Sequence, residues 1–193
     1  TSLIVTPSSR TPLNISNYMT ADPSDATGNT YFITSVTDTG SLSDLSNALA
    51  FTQSGAGGAV NGYTFKLGGN LDMSAATTKY LPYFGATEFV GNTYSVNNFA
   101  FDRQTSGIGF LGMVQKSTLT NLKVNTSGLV NGIEYVGAEV GALYNGVIAG
   151  STATLSANVS GSNYVGGLAG YVTQTSMYDS GSVQGVATAK PPT

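Results

Sequence analysis

The stretch "NYVGGLAGYV", residues 163–172, sets three glycines among valine, leucine, alanine and tyrosine. A helix interior loses about 1 kcal/mol for each glycine relative to alanine. A strand gains no side-chain packing from one. The stretch has counterparts in "EYVGAEVGALYN" (134–145) and "SGIGFLGMV" (106–114). Aligned without gaps, the three place anchor glycines at Gly112, Gly141 and Gly170, a constant step of 29 residues.

The step of 29 carries apolar columns with it. Two residues after the anchor stand Val114, Leu143 and Val172, and seven after it stand Leu119, Ile148 and Met177. One residue before it stand Leu111, Val140 and Ala169. A repeat of this length that cannot bury its own apolar face must stack on its neighbours. With β-type composition, the expected unit is one coil of a parallel β-solenoid. The glycines then serve as corner and stacking residues. They do not form a phosphate loop, because "GGLAG" lacks the lysine and the following helix of that motif. The columns flanking the anchor lie three residues apart, which a strict pleat would put on opposite faces. A bend or bulge near the glycine is expected to reconcile them. The column two residues before the anchor holds Phe110, Glu139 and Leu168. Because it admits a glutamate, it is expected to face water.

Composition agrees with an ordered β-protein. The chain has 193 residues, of which 40% are hydrophobic and only 9% charged. An ordinary domain carries about 25% charged residues. The net charge is −3, and the seven basic residues are scattered. No basic stripe exists to neutralise phosphates, so nucleic acid is not an expected partner. No apolar run approaches the ~20 residues of a membrane span. Cysteine and histidine are absent, which removes disulfides, ordinary zinc sites and the commonest nucleophile and acid–base arrangements.

The residues "YVGGLAGYV" (164–172) followed by "SMYDSGSVQG" (176–185) resemble the GLUG motif of bacterial surface proteins. That motif occurs in adhesins of the filamentous-haemagglutinin type and in some secreted IgA-specific peptidases, outside their catalytic domains. The 134–145 copy is looser, with Ala138 and Glu139 in place of the Gly-Leu pair. Upstream, "YTFKLGGNLDMS" (63–74) and "FVGNTYSVNNFAF" (89–101) are similar to the usual lead-in. The resemblance covers about residues 63–185. It implies a right-handed parallel β-helix used for adhesion or display in a secreted or cell-surface protein, and it carries no catalytic residue across.

The expected organisation is therefore an all-β chain with three parts. Residues 1–62 form an N-terminal arm and cap, with a short helix near 41–51, where Leu42, Leu45 and Leu49 recur at helical spacing. Residues 63–185 form the β-helix, and 186–193 a tail or linker. The helix is expected to cover the first coil, whose edge would otherwise invite pairing.

Candidate site residues follow from the same reading. Tyr135 and Tyr164 are 29 apart and are expected to stack one coil above the other, as a structural ladder or a face for a glycan or protein ligand. Glu139 is a further surface candidate, either solvated, paired with a lysine of a neighbouring coil, or gripping a ligand. Asp22, Asp25 and Asn29 form a weak calcium candidate against the alternative of an Asx-turn loop. Asp72, Asp102 and Asp179 stand singly, short of the paired carboxylates of a glycosidase. The expected function is non-enzymatic and needs no cofactor: an adhesive module whose partner is a host or neighbouring-cell glycan or protein. Self-assembly through the solenoid ends into a filament is the alternative, followed by a carbohydrate-active β-helix enzyme.

Overall fold

The computed structural model describes residues 4–5, 13–14, 19–33, 64–74, 81–85, 88–173, 176–178, 182–184 and 187–189. Ile4–Val5 and Leu13–Asn14 form a separate antiparallel pair; most of the rest form a parallel β-solenoid whose coils, from Leu81 on, pass through three sheets. The first sheet stacks Leu81–Gly85, Leu111–Gln115, Val140–Tyr144 and Ala169–Thr173. In the second, Thr30–Ile33, Thr64–Leu67, Glu88–Val90, Thr118–Thr120, Val147–Ala149 and Ser176–Tyr178 run parallel. The third is built on Val96–Asp102 and the long strand Lys123–Asn131. Lys123–Asn131 pairs with both Thr152–Thr154 and Val159–Gly161 of the next coil.

The register is the 29-residue step seen in the sequence. Leu111 pairs with Val140 and then Ala169, and Val114 with Leu143 and then Val172. Leu119 pairs with Ile148 and then Met177. No register shift interrupts these ladders, and the anchor glycines lie within continuous strands, without the bulge expected there. Earlier coils are less regular: Leu111 pairs back to Leu81, a step of 30, and Thr64 pairs with Glu88, a step of 24.

Among the described residues, the corners between sheets carry residues in the left-handed region, and these residues also stack. Lys116 and Asn145 (φ 51° and 53°) turn the chain from the first sheet to the second. Asn92, Asn121 and Gly150 (φ 54°, 52° and 66°) turn it from the second to the third. Asparagine and glycine tolerate this conformation, which explains their 29-residue recurrence here.

The core is a column of apolar side chains along the axis. Toward the N-terminal side it is aromatic, where Phe65, Phe84, Phe89, Phe110 and Phe99 meet edge-to-face at 5.7–6.4 Å. Such pairs add about 0.5–1.5 kcal/mol each beyond area burial. Further on, aliphatics replace them: Val114, Leu119, Leu143 and Ile148 are fully buried.

The parallel stack is longer than residues 63–185. Thr30–Ile33 joins it by pairing with Thr64–Leu67, and Met19–Ala21 adds an antiparallel strand on its outer edge. Ala187–Ala189 pairs in parallel with Val159–Gly161, so strand structure continues into the segment expected to be a tail. The helix expected near 41–51 lies outside the described residues.

Candidate functional site

The corner before the first sheet is built differently from the other two. Gly107, Tyr135 and Tyr164 hold positive φ there (77°, 56° and 54°). Tyrosine is a bulky residue for this region, which costs an L-residue about 1–2 kcal/mol. The short strands Glu134–Val136 and Asn163–Val165 that carry the tyrosines pair in parallel. Asn163 Nδ2 donates to Glu134 Oε1 at 3.1 Å across the same pair.

The anchor glycines hold these corners against the first sheet. A Cβ on Gly141 would lie 2.6 Å from the Tyr135 carbonyl oxygen, and one on Gly170 2.5 Å from that of Tyr164. In both cases the glycine follows its tyrosine by six residues. Only a bare backbone lets the corner strand lie this close, so the anchor glycines set where the tyrosine rings emerge.

The rings emerge stacked. Tyr135 and Tyr164 lie 5.0 Å apart, centroid to centroid, with an interplanar angle of 5°. Tyr171, next to the anchor Gly170, meets both edge-on at 5.6 and 5.2 Å. Tyr144 meets Tyr171 at 5.8 Å. Ala142, the register partner of Tyr171, is fully buried yet stands apart from the core cluster. Its small side chain fits beside the tyrosines on the outer face. Tyr164 stays 50% exposed. Burial, and then the phenols of Tyr135 and Tyr171, push the Tyr144 hydroxyl above its ordinary value of 10. It therefore remains a neutral hydrogen-bond donor.

A groove of about 400 Å³ adjoins this cluster, lined by Met113, Val114, Gln115, Tyr144 and Asn145. Tyr144 belongs to both features. Sequence spacing singles out Tyr135 and Tyr164 as a stacked pair and includes Tyr144 and Tyr171 among the tyrosines that recur along the solenoid, but it does not point to Met113, Gln115 or Asn145. The signal they share with Tyr144 and Tyr171 is a fixed distance from the anchor glycines: Met113 and Tyr171 follow theirs by one residue, Gln115 and Tyr144 by three, and Asn145 by four.

Glu139 requires a correction. It is 0% exposed, and its column partners Phe110 and Leu168 are buried with it. The column faces inward because residues 137–139 lie in a bend before the strand Val140–Tyr144. Parity across a pleat does not extend through a bend. Neither carboxyl oxygen has a hydrogen-bond partner of good geometry. Burial drives its pKa well above the ordinary 4.5, opposed only by the nearby Ser151 side chain. Glu139 therefore neither meets solvent nor presents itself to a ligand at the surface.

The loop of Asp22, Asp25 and Asn29 forms Asx turns. Asp22 Oδ1 accepts from the Ser24 amide and hydroxyl at 2.9 and 2.7 Å. Asp25 Oδ1 accepts from the Thr27 amide and hydroxyl, and Oδ2 from the Thr30 hydroxyl at 2.6 Å. The Asn29 amide also donates to Asp25 Oδ2, at 3.3 Å. Asp22 lies 3.9 Å from the Lys66 ammonium. These contacts occupy the oxygens that a calcium ion would use. Among the described residues no three Asp or Glu side chains converge on a common point.

Asp72 and Asp102 belong to polar ladders between coils. Asp72 Oδ1 accepts from Asn98 Nδ2, and Asp102 Oδ1 from Asn131 Nδ2 at 2.8 Å. Ser160 Oγ then donates to Asn131 Oδ1, continuing the ladder one coil further. Asp179 lies outside the described residues.

No protein-family model, curated protein or solved structure matches this chain.

Proposed function

We propose that this chain is a non-enzymatic binding module that engages its ligand through the lateral face bearing Tyr135, Tyr164 and Tyr171. One observation carries the reading: two consecutive coils hold a tyrosine in the left-handed region, with the rings stacked and the outer one half exposed. Backbone strain of this kind concentrates at functional sites. Tyrosine also combines a large rigid apolar surface with a polar tip, which suits recognition. The GLUG resemblance and the sparse charge fit an adhesive role in a secreted or cell-surface bacterial protein, with a host or neighbouring-cell glycan or protein as partner.

The test is a glycan array together with pull-downs from host-cell surface extracts, using the whole chain and a Tyr135→Ser/Tyr164→Ser variant. Binding that is lost in the folded double variant supports the reading. Binding that persists in it removes this face from the site. Concentration-dependent polymers with no ligand binding favour the filament instead.

A further inference from the structure

We propose that the ligand is an uncharged saccharide chain, seated in the groove of Met113, Gln115, Tyr144 and Asn145 and continuing onto the tyrosine cluster. This deepens the binding-module reading and rests on it. The groove has the composition of a small-ligand site, an apolar floor with a few convergent polar groups. Met113 supplies the apolar floor, while the Val114 side chain turns inward to the core. Gln115 and Asn145 supply two carboxamides, each able to donate and accept, as a sugar hydroxyl pair requires. Tyr144 supplies a ring and a phenol. No residue lining the groove is charged.

The arrangement discriminates among ligand classes. An anionic chain would need a cation in the site. Lys116 neighbours the groove, stacked on the next rung from Asn145 with its amide donating to the Tyr144 carbonyl oxygen at 2.9 Å, but it is an exposed corner residue and does not line the groove. A peptide strand would call for a free sheet edge, whereas here the first sheet presents its face, with Val140–Tyr144 paired on both sides. Sugar rings place their apolar C–H faces on aromatic rings and their hydroxyls on amides. Tyr144 touches Tyr171, which touches Tyr135 and Tyr164, so the aromatic surface runs without a break from the groove to the exposed ring.

The experiment titrates the whole chain with neutral α- and β-linked hexose oligomers of about four to six units, and with sialylated and sulfated oligomers as counterparts. At least one neutral series is expected to bind. Its affinity should be insensitive to salt and to Lys116→Gln, because no ion pair is involved. Gln115→Ala and Tyr144→Phe, both conservative for folding, should each weaken it roughly tenfold, on the scale of one lost polar contact. Binding confined to the charged oligomers, or lost on Lys116→Gln, overturns the proposal. So does neutral binding that ignores both Gln115→Ala and Tyr144→Phe. A protein ligand captured through Tyr135 and Tyr164 with no saccharide binding overturns the saccharide while keeping the binding face. Absence of binding to all saccharides and proteins overturns both.

Discussion

Tyr135 and Tyr164 stand 29 residues apart, share a positive φ of 56° and 54°, and lie ring on ring at 5.0 Å. The stack is favourable and the backbone beneath it is not. Substitution at Tyr164 separates the two contributions. Tyr164→Asn gives up ring contacts worth about 0.5–1.5 kcal/mol but relieves a strain of about 1–2 kcal/mol. It should leave stability within about 1 kcal/mol of wild type. Tyr164→Val keeps the strain, loses the ring, and should be the less stable variant by about 1 kcal/mol or more. Denaturant midpoints of the two variants check the ordering, which reverses if the backbone is not strained.

The anchor glycines make a sharper prediction. In Gly141→Ala the new methyl meets only backbone: the Tyr135 oxygen at 2.6 Å, the Gly112 oxygen at 2.7 Å and the Gly107 carbonyl carbon at 2.8 Å. None of these is the end of a flexible side chain. Overpacking of this kind costs about 1–3 kcal/mol. Gly69→Ala is the control, since a methyl there meets nothing within 4 Å. It should be neutral or slightly stabilising, by up to about 1 kcal/mol, through the unfolded chain. Thermal unfolding of the pair measures the contrast.

Leu143 lies between Val114 and Val172 in the register and is fully buried. Leu143→Ala should cost about 2–5 kcal/mol. Both adjoining coils lose contacts at once, so the cost should appear as one cooperative shift of the chemical unfolding curve. A cost below about 1 kcal/mol would place Leu143 outside the core.

Glu139 and Asp25 should respond to pH in opposite directions. The folded pKa of Glu139 is raised above the ordinary 4.5 by burial, so the folded chain holds its proton where the unfolded chain has released it. Its contribution to stability is fully present below about 4.5 and is lost as pH rises toward the folded pKa. Glu139→Gln should remove that slope and be the more stable protein at pH 8. Glu139→Leu should remove the slope as well, while leaving the buried Ser151 hydroxyl without the carboxyl it faces. Urea titrations from pH 4 to 9 read both effects, and a wild-type stability that rises across this range contradicts the assignment.

Asp25 is the reverse case. Hydrogen bonds from the Thr27 hydroxyl first, then from the Thr30 hydroxyl and the Thr27 amide, hold its pKa down at about 2. Its contribution is present above the ordinary 3.8 and is lost as pH falls through about 2. A carboxyl carbon NMR titration should find Asp25 still ionised at pH 3. In Asp25→Asn the Thr27 and Asn29 amides should lose protection from exchange at neutral pH.

The amino-acid sequence by itself determined the axial order of the coils that share the 29-residue step. In an in-register parallel stack, one repeat length equals one step along the axis. The 29-residue spacing therefore already contains the Leu111–Val140, Val114–Leu143, Leu119–Ile148 and Tyr135–Tyr164 pairs. What lies around the coil was decided only by the tertiary structure. The pleat rule that assigned Glu139 to water holds within a strand, and Glu139 sits in a bend whose turn brings consecutive side chains into the interior. The tyrosine cluster depends on the same geometry. Tyr171 and Tyr144 belong to the first sheet and Tyr135 and Tyr164 to the corner strands beside it. The angle of that corner is set by how closely Gly141 and Gly170 let the backbones approach. Spacing along a sequence encodes translation from coil to coil, whereas the direction of a side chain at a corner depends on the packing of the backbones around it.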